Sequence, residues 1–238
     1  MQEKVAYFAG CTASFVEPEV GRATVRVLRR YGLDPFFPKQ ECCGLAELLG
    51  GNLRAFSKRA ESNLQSLAGA DADIVTACTS CALALKREYP RWVKSRQAEP
   101  VSRRVYDILE YVALLDGQAV RQSCLEPLNL EVAYHAPCHL KVMGRGLVES
   151  RLRLMRRLTA GRVREIDRGC CGMGGTFGLK GRNYARSMAI GQSLFEAIRA
   201  CAPDVVATDC PGCKLQIFQG TGLPVTHPIQ LLARAHGG

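Results

Sequence analysis

Ten of the twelve cysteines fall into two copies of one arrangement. The first copy is Cys11, the adjacent pair Cys42 and Cys43 followed by Gly44, then Cys78 and Cys81. The second is Cys138, the pair Cys170 and Cys171 followed by Gly172, then Cys210 and Cys213. The five pairs of equivalent cysteines lie 127, 128, 128, 132 and 132 residues apart, which marks a tandem duplication. Thiolates in such numbers point to metal. A zinc ion closes its shell with four ligands, and a cubane iron–sulfur cluster also takes four. Each copy offers five, two of them on neighbouring residues whose side chains diverge. That set suits several irons sharing sulfide better than one ion, and so predicts one polynuclear iron–sulfur centre per copy. A lone C-x-x-C would fit zinc or thioredoxin-type chemistry equally well. Zinc and structural disulfides remain as competing readings. Cys124 and Cys201 stand outside the pattern and read as ordinary helix or loop residues.

The residues around the two sets differ. Gly44 and Gly172 remove a side chain where backbone is expected to pass close to a bound group, and they leave N–H donors for sulfur. The second set adds a glycine-rich loop from Gly172 to Gly178, including Gly174 and Gly175, and two histidines, His135 and His139. The extra N–H donors predict a higher reduction potential at the second centre. His135 and His139 are candidate catalytic proton donors, with hydrogen-bonded structural residues as the alternative. His227, before Pro228, reads as a helix cap.

Composition sets the context. At 238 residues and 47% apolar content, the chain can build cores without covalent staples. The apolar run after Met1-Gln2-Glu3-Lys4 is too short for a signal peptide. The longest uncharged stretch, from Leu215 to Ala233, is broken by Pro224 and Pro228 and does not suit a membrane span. A soluble, cytoplasmic protein with reduced thiols is expected. The formal charge of +10 counts the cysteines as neutral, so metal-bound thiolates would reduce it. Arginines concentrate at 91–104 and 151–168. The runs read as solvated basic helix faces, or as a docking face for an acidic partner or an anionic membrane surface. No nucleic-acid-binding motif accompanies them, and nucleic acid is not an expected partner.

Each copy repeats one order of elements. Residues 4–9, 34–37 and 73–77 read as strands, as do 132–135, 163–166 and 205–208. Helices are expected from Glu17 to Tyr31, Leu53 to Leu67, Leu147 to Leu158 and Tyr184 to Arg199. Alternating strands and helices imply an α/β fold: two tandem-duplicated Rossmann-like lobes with parallel sheets, pseudo-twofold related. The domains are expected at 1–115 and 125–238, packed tightly, with the join between Tyr89 and Glu131. Every cysteine set follows strand ends, so each is predicted to converge on one sheet rim, where such folds bind ligands.

The repeated Cys, Cys-Cys-Gly, Cys-x-x-Cys pattern resembles the cysteine-rich CCG-domain family. Its members include the B component of heterodisulfide reductase, the A component of the lactate-utilisation complex, the glycolate oxidase iron–sulfur subunit and the C component of anaerobic glycerol-3-phosphate dehydrogenase. The chain looks like the last of these in Tyr134-His-Ala-Pro-Cys-His139, Gly172-Met-Gly-Gly-Thr-Phe-Gly178 and Thr208-Asp-Cys-Pro-Gly-Cys-Lys214. The resemblance implies two four-iron four-sulfur clusters of the noncubane type. Their ligands would be Cys11, Cys42, Cys43, Cys78 and Cys81, and then Cys138, Cys170, Cys171, Cys210 and Cys213. It implies an iron–sulfur subunit of a heterodisulfide-reductase-like oxidoreductase, passing electrons between a flavin or ferredoxin partner and a quinone or disulfide acceptor. The alternatives are a catalytic disulfide reductase subunit that cleaves a heterodisulfide at its clusters, and a zinc-binding scaffold. Some relatives carry a ferredoxin-like part with further C-x-x-C-x-x-C motifs, which this sequence lacks. The flavin- or ferredoxin-type partner is therefore expected on another polypeptide, through which peripheral membrane association could occur.

Overall fold

The computed structural model describes residues 2–117 and 125–237. Cys124 lies outside the described residues. The chain divides into two compact units, residues 1–123 and 124–238.

The first unit runs β1 (Glu3–Tyr7), α1 (Gly10–Phe15), α2 (Pro18–Arg30), β2 (Leu33–Phe36), α3 (Leu45–Leu49), α4 (Leu53–Ala68), β3 (Asp73–Thr76) and α5 (Thr79–Leu83). A π-helical turn, Ala84–Glu88, carries α5 into α6 (Tyr89–Trp92). Then follow α7 (Ala98–Ser102), β4 (Val105–Asp107) and α8 (Ile108–Gly117). The second runs β5 (Val132–Tyr134), α9 (Cys138–Lys141), α10 (Arg145–Leu158), β6 (Val163–Glu165), α11 (Tyr184–Ala200), β7 (Val205–Ala207), α12 (Pro211–Thr221), β8 (Val225–Thr226) and α13 (Pro228–Ala235). A short 3-10 turn, Gly181–Asn183, precedes α11.

Each unit holds one parallel four-stranded sheet, in the order β2-β1-β3-β4 and β6-β5-β7-β8. The central strands carry continuous buried apolar stretches because helices cover both faces. Val5, Ala6 and Tyr7 are buried, as are Ile74 and Val75, and Val132, Ala133 and Tyr134 in the second unit. Pro35 is tolerated because β2 is an edge strand. Helix α2 begins on Pro18, buries the stripe Val20, Ala23, Thr24 and Val27, and ends on Arg29 and Arg30 beside its negative dipole end. Helix α13 is closed by a capping box in which His227 Nδ1 accepts from the Ile229 amide at 3.0 Å and Gln230 reaches back to the His227 amide.

The fold class is the expected one: α/β, two similar lobes, parallel sheets. Two details depart from the sequence reading. Strands β4 and β8 are additional to the six strands it predicts. The division between the units, after residue 123, falls within the stretch expected to contain the join, and Tyr89 to Gly117 forms α6, α7, β4 and α8 of the first unit. The arginine runs are also not uniformly solvated. Arg151 is fully buried, and Arg104 donates to the carbonyls of Ala70, Ala72 and Leu67. No helix among the described residues is long and apolar enough to cross a membrane.

Candidate metal centres

The sheet order places the strand switch point between β1 and β3, and again between β5 and β7, because the chain leaves the central strand in opposite directions. Ligands of such sheets sit at the carboxyl ends of those strands. Cys11 opens α1 just past β1, and Cys78 caps α5 just past β3, with Cys81 one turn on. Cys42 and Cys43 lie in the loop after β2. Cys138, Cys170, Cys171, Cys210 and Cys213 occupy the same places around β5, β6 and β7.

The structure joins each five into one chain of neighbouring thiols. In the first unit side-chain contacts run Cys11 to Cys42, Cys42 to Cys43, Cys43 to Cys81 and Cys81 to Cys78. In the second they run Cys138 to Cys170, Cys170 to Cys171, Cys171 to Cys213 and Cys213 to Cys210. The Cys171 Sγ to Cys213 Sγ separation is 3.2 Å, far beyond the roughly 2.05 Å of a disulfide. All eleven described cysteines are free thiols. Among the described residues no three His, Cys, Asp or Glu side chains converge on one point as a mononuclear site would require. The donors are spread along a contour instead.

Burial follows the same gradient in both units. Cys43 and Cys81 are buried, Cys42 and Cys78 half-buried, and Cys11 exposed. Cys171 and Cys213, Cys170 and Cys210, and Cys138 repeat that order. Neighbouring thiols perturb one another's proton affinities along each chain of contacts. Hydrogen bonds from Cys42 and Cys81 pull Cys43 down to about 5, and the bond to Cys43, with burial, holds Cys81 well above the ordinary thiol. Cys170 is lowered by bonds from Cys138 and Cys171, and those same bonds raise Cys138 and Cys171. Five thiols this close cannot all ionise unless cations compensate them. Polynuclear iron would supply that charge, so the donor set fits an iron–sulfur group.

The loops that carry the cysteine pairs are held by residues that the sequence pattern does not single out. The Asn63 side chain donates to the Cys42 carbonyl at 3.2 Å and accepts from the Glu41 amide at 2.8 Å. Tyr89 Oη donates to the Cys43 carbonyl at 3.0 Å. In the second unit Ser187 Oγ donates to the Gly172 carbonyl at 2.8 Å and accepts from Gln216 at 2.9 Å. The Gly10 amide donates to Gln40 Oε1, and a Cβ on Gly10 would stand 2.9 Å from Cys81 Sγ. A polar residue buried alone in an apolar helix face is the sequence signal that Asn63 and Gln216 offer.

The glycines are placed as follows. Gly172, at φ +92°, faces the backbone of α11, where a Cβ would lie 1.9 Å from the Ser187 carbonyl oxygen. Its amide donates to Cys170 Sγ at 3.3 Å. Gly44, at φ +79°, packs on Phe56. The Gly174 and Gly175 amides make no bond to a thiol among the described residues; Gly174 accepts from Phe177 in the loop turn. His135 is fully buried at the end of β5, and neither ring nitrogen has a hydrogen-bond partner of normal geometry. Burial, aided by Lys141, pushes it down to about 4, so its ring is neutral at pH 7 and can donate an N–H but holds no spare proton. His139 is half-buried on α9, and burial lowers it too. Cys201 lies apart, with Arg164 Nη1 at 3.5 Å.

Comparison with known proteins places the chain. It is 33% identical over 245 residues to the C component of anaerobic glycerol-3-phosphate dehydrogenase of Escherichia coli (strain K12), covering 98% of this chain and 59% of the relative. It is 30% identical to lactate utilization protein A of Bacillus pumilus, covering 96% of each. It is 28% identical to the D component of the dihydromethanophenazine:CoB–CoM heterodisulfide reductase of Methanosarcina barkeri, covering 98% of this chain and 59% of that one. The chain thus spans only about three-fifths of two of these relatives and nearly all of the third. A Helicobacter pylori hypothetical protein shares the fold at a TM-score of 0.58 and 11% identity, over 99% of this chain and 49% of that one. The profile of the cysteine-rich domain family (CCG) matches residues 5–86 and 132–218, one match in each unit. With its duplicated cysteine contours and those two matches, the chain belongs to the cysteine-rich CCG-domain family.

Proposed function

We propose that each thiol contour holds one iron–sulfur cluster of the four-iron four-sulfur, noncubane kind, and that the protein is the iron–sulfur electron-transfer subunit of an oxidoreductase complex. The observation that carries this is the unbroken chain of five neighbouring thiols at the carboxyl edge of each sheet. The ligands are Cys11, Cys42, Cys43, Cys78 and Cys81, and Cys138, Cys170, Cys171, Cys210 and Cys213, with residues 1–115 and 125–238 as the two domains. The clusters, when bound, supply reversible one-electron storage. The chain's own residues hold the thiols in place: Asn63, Tyr89, Ser187 and Gln216 clamp the cysteine loops, and the Gly172 amide donates to sulfur. Gly44, Gly174 and Gly175 shape the same loops. His139, half-buried beside Cys138, is the better placed of the two histidines to pass a proton at its ring nitrogen.

Relatives named as subunits of a dehydrogenase and a heterodisulfide reductase support a redox role within a larger assembly. The partners are flavin- or ferredoxin-type subunits, the acceptor is a quinone or a disulfide, and the complex is cytoplasmic or peripheral on the inner membrane face. A second reading is favoured by one observation. Cys11 and Cys138 are the exposed thiols of their sets, which leaves each contour open to solvent at one end, where a disulfide substrate could meet it.

The test is anaerobic purification followed by iron and acid-labile sulfide analysis, with electron paramagnetic resonance through a redox titration. About eight irons and two distinguishable centres are expected. A colourless, zinc-loaded protein refutes the reading. Turnover of a disulfide by the isolated protein with reduced viologen would establish the second reading over the first.

A further inference from the structure

The two units repeat their ligand layer but not the layer behind it. Helix α10 starts at Arg145 as α2 starts at Pro18, at the same 127-residue offset that relates Cys138 to Cys11. By that register Arg151 stands where the first unit has Thr24, and Tyr134 where it has Tyr7. Asp209 precedes Cys210 as Ala77 precedes Cys78. In the first unit these positions are neutral: Tyr7 sits beside Thr24, whose hydroxyl donates to the Val20 carbonyl at 2.8 Å, and Ala77 is buried. In the second unit Arg151 and Asp209 are both fully buried and form an ion pair, Nε to Oδ1 at 3.4 Å. Tyr134 Oη donates to Asp209 Oδ2 at 2.6 Å.

The fold does not require this pair. A buried ion pair is often no more stabilising than apolar residues of the same volume, because two charges must be desolvated. The first unit closes the same helix-on-sheet contact without charge. What the second unit gains is a fixed pair of charges directly behind Cys210, in a low-dielectric interior where unit charges act strongly. The guanidinium cannot lose its proton there. The carboxylate, on the residue next to Cys210, is the nearer charge.

We propose that the buried Arg151–Asp209 pair is an electrostatic bias on the second centre alone, which sets its electron affinity apart from that of the first. Both residues are positioning groups that act through the Cys210 strand end and touch no substrate. The inference rests on the proposal that both thiol contours hold redox clusters.

The experiment is a redox titration of the anaerobically purified protein, followed by electron paramagnetic resonance, which reads each centre separately. Asp209→Asn removes the nearer negative charge and leaves Arg151 uncompensated. It is expected to favour reduction of one centre at least tenfold, a shift of ~59 mV for one electron, and to leave the other centre in place. The double change Asp209→Ala with Arg151→Thr installs the first unit's residues, is expected to fold, and should shift the same centre the same way by less. Arg151→Lys keeps the charge and is expected to hold the wild-type potential. Equal movement of both centres, or no movement in the double variant, overturns the proposal. If Asp209→Asn does not fold, the double variant carries the test. Two intact centres with no selective shift refute only this inference, whereas an absence of iron and sulfide in the wild type refutes the cluster reading beneath it.

Discussion

Alanine at position 172 is expected to cripple the second unit, and the size of the effect can be built from the structure. Gly172 has φ +92°, and an added Cβ would lie 1.9 Å from the Ser187 carbonyl oxygen and 3.1 Å from the Gly191 amide nitrogen. Both are backbone atoms of α11, so neither can rotate away. Left-handed backbone alone costs an L-residue about 1–2 kcal/mol. Overpacking adds roughly 1–3 kcal/mol, and displacing the Gly172 carbonyl from Ser187 Oγ forfeits a further ~1 kcal/mol. The sum is about 4 kcal/mol. Two other glycines supply the scale. Gly32, at φ +76°, has nothing within 4 Å, so Gly32→Ala carries only the backbone term, about 1 kcal/mol. Gly44, at φ +79°, meets the Phe56 ring at 3.0 Å, and a ring can shift slightly, so Gly44→Ala should cost about 2 kcal/mol. For units of this size, 1 kcal/mol moves the midpoint by roughly 4 °C. Scanning calorimetry should therefore order the variants Gly32→Ala, Gly44→Ala, Gly172→Ala, with the last unfolding roughly 15 °C below wild type. A Gly172→Ala midpoint within ~4 °C of the Gly32→Ala variant would refute the claim that α11 backbone, and not conformational freedom alone, fixes glycine there.

Three further outcomes are expected. Tyr89→Phe leaves the buried Cys43 carbonyl without its 3.0 Å donor and Asn63 without one of its two acceptors. It should cost about 1–3 kcal/mol in urea unfolding and lower iron occupancy of the first centre only. The depressed His135, at about 4 in the fold against an ordinary 6.5, makes the second unit acid-sensitive. The unfolded chain binds that proton more tightly, so stability is full above pH 6.5 and falls by about 3 kcal/mol as pH drops toward 4. Lys141 adds to the depression, while Asp167 and Cys170 oppose it. His135→Phe, which copies Phe8 of the first unit, should flatten that pH dependence in chemical denaturation series, and an unchanged slope would count against it. Finally, Cys201→Ser should leave iron and sulfide unchanged, whereas Cys171→Ser, at a buried centre of its contour, should abolish one centre.

The cysteine contours and the central strands are legible in the sequence because both rest on simple patterns. The offset near 130 residues declares the duplication, and β1, β3, β5 and β7 each carry a short apolar run followed within four residues by a cysteine. Strands β4 and β8 are not legible for a physical reason: each is two or three residues long, and sheet pairing to β3 or β7 defines it, not its own sequence. Arg151 escapes a count of charge along the chain, which ignores position around the helix. It lies on the stripe Val148, Arg151, Leu152, Met155, all buried, which is the helical spacing of a core face. That pattern, together with Thr24 in the matching place on α2, is present in the sequence. The partners of the clamps Asn63, Tyr89, Ser187 and Gln216 are not, because nothing in their spacing tells which distant group each meets.

A duplication starts with two equal sites, so the layers that stayed equal show what both sites must do. The five thiols kept their positions, their order of contact and their gradient from exposed Cys11 and Cys138 to buried Cys43, Cys81, Cys171 and Cys213. Substituting any of them would alter what the site can hold. Behind the thiols that constraint relaxes, because many side chains can fill the same volume between helix and sheet. There the first unit has Phe8, Thr24 and Ala77 where the second has His135, Arg151 and Asp209, the last three fully buried and polar. Each exchange demands desolvation that an apolar residue would avoid. Of these, the buried Arg151–Asp209 pair is poorly accounted for by packing and well accounted for by a local field. If both contours hold the proposed clusters, the same ligands in different fields would hold an electron unequally, and the redox titration of the Asp209 variants reads that difference.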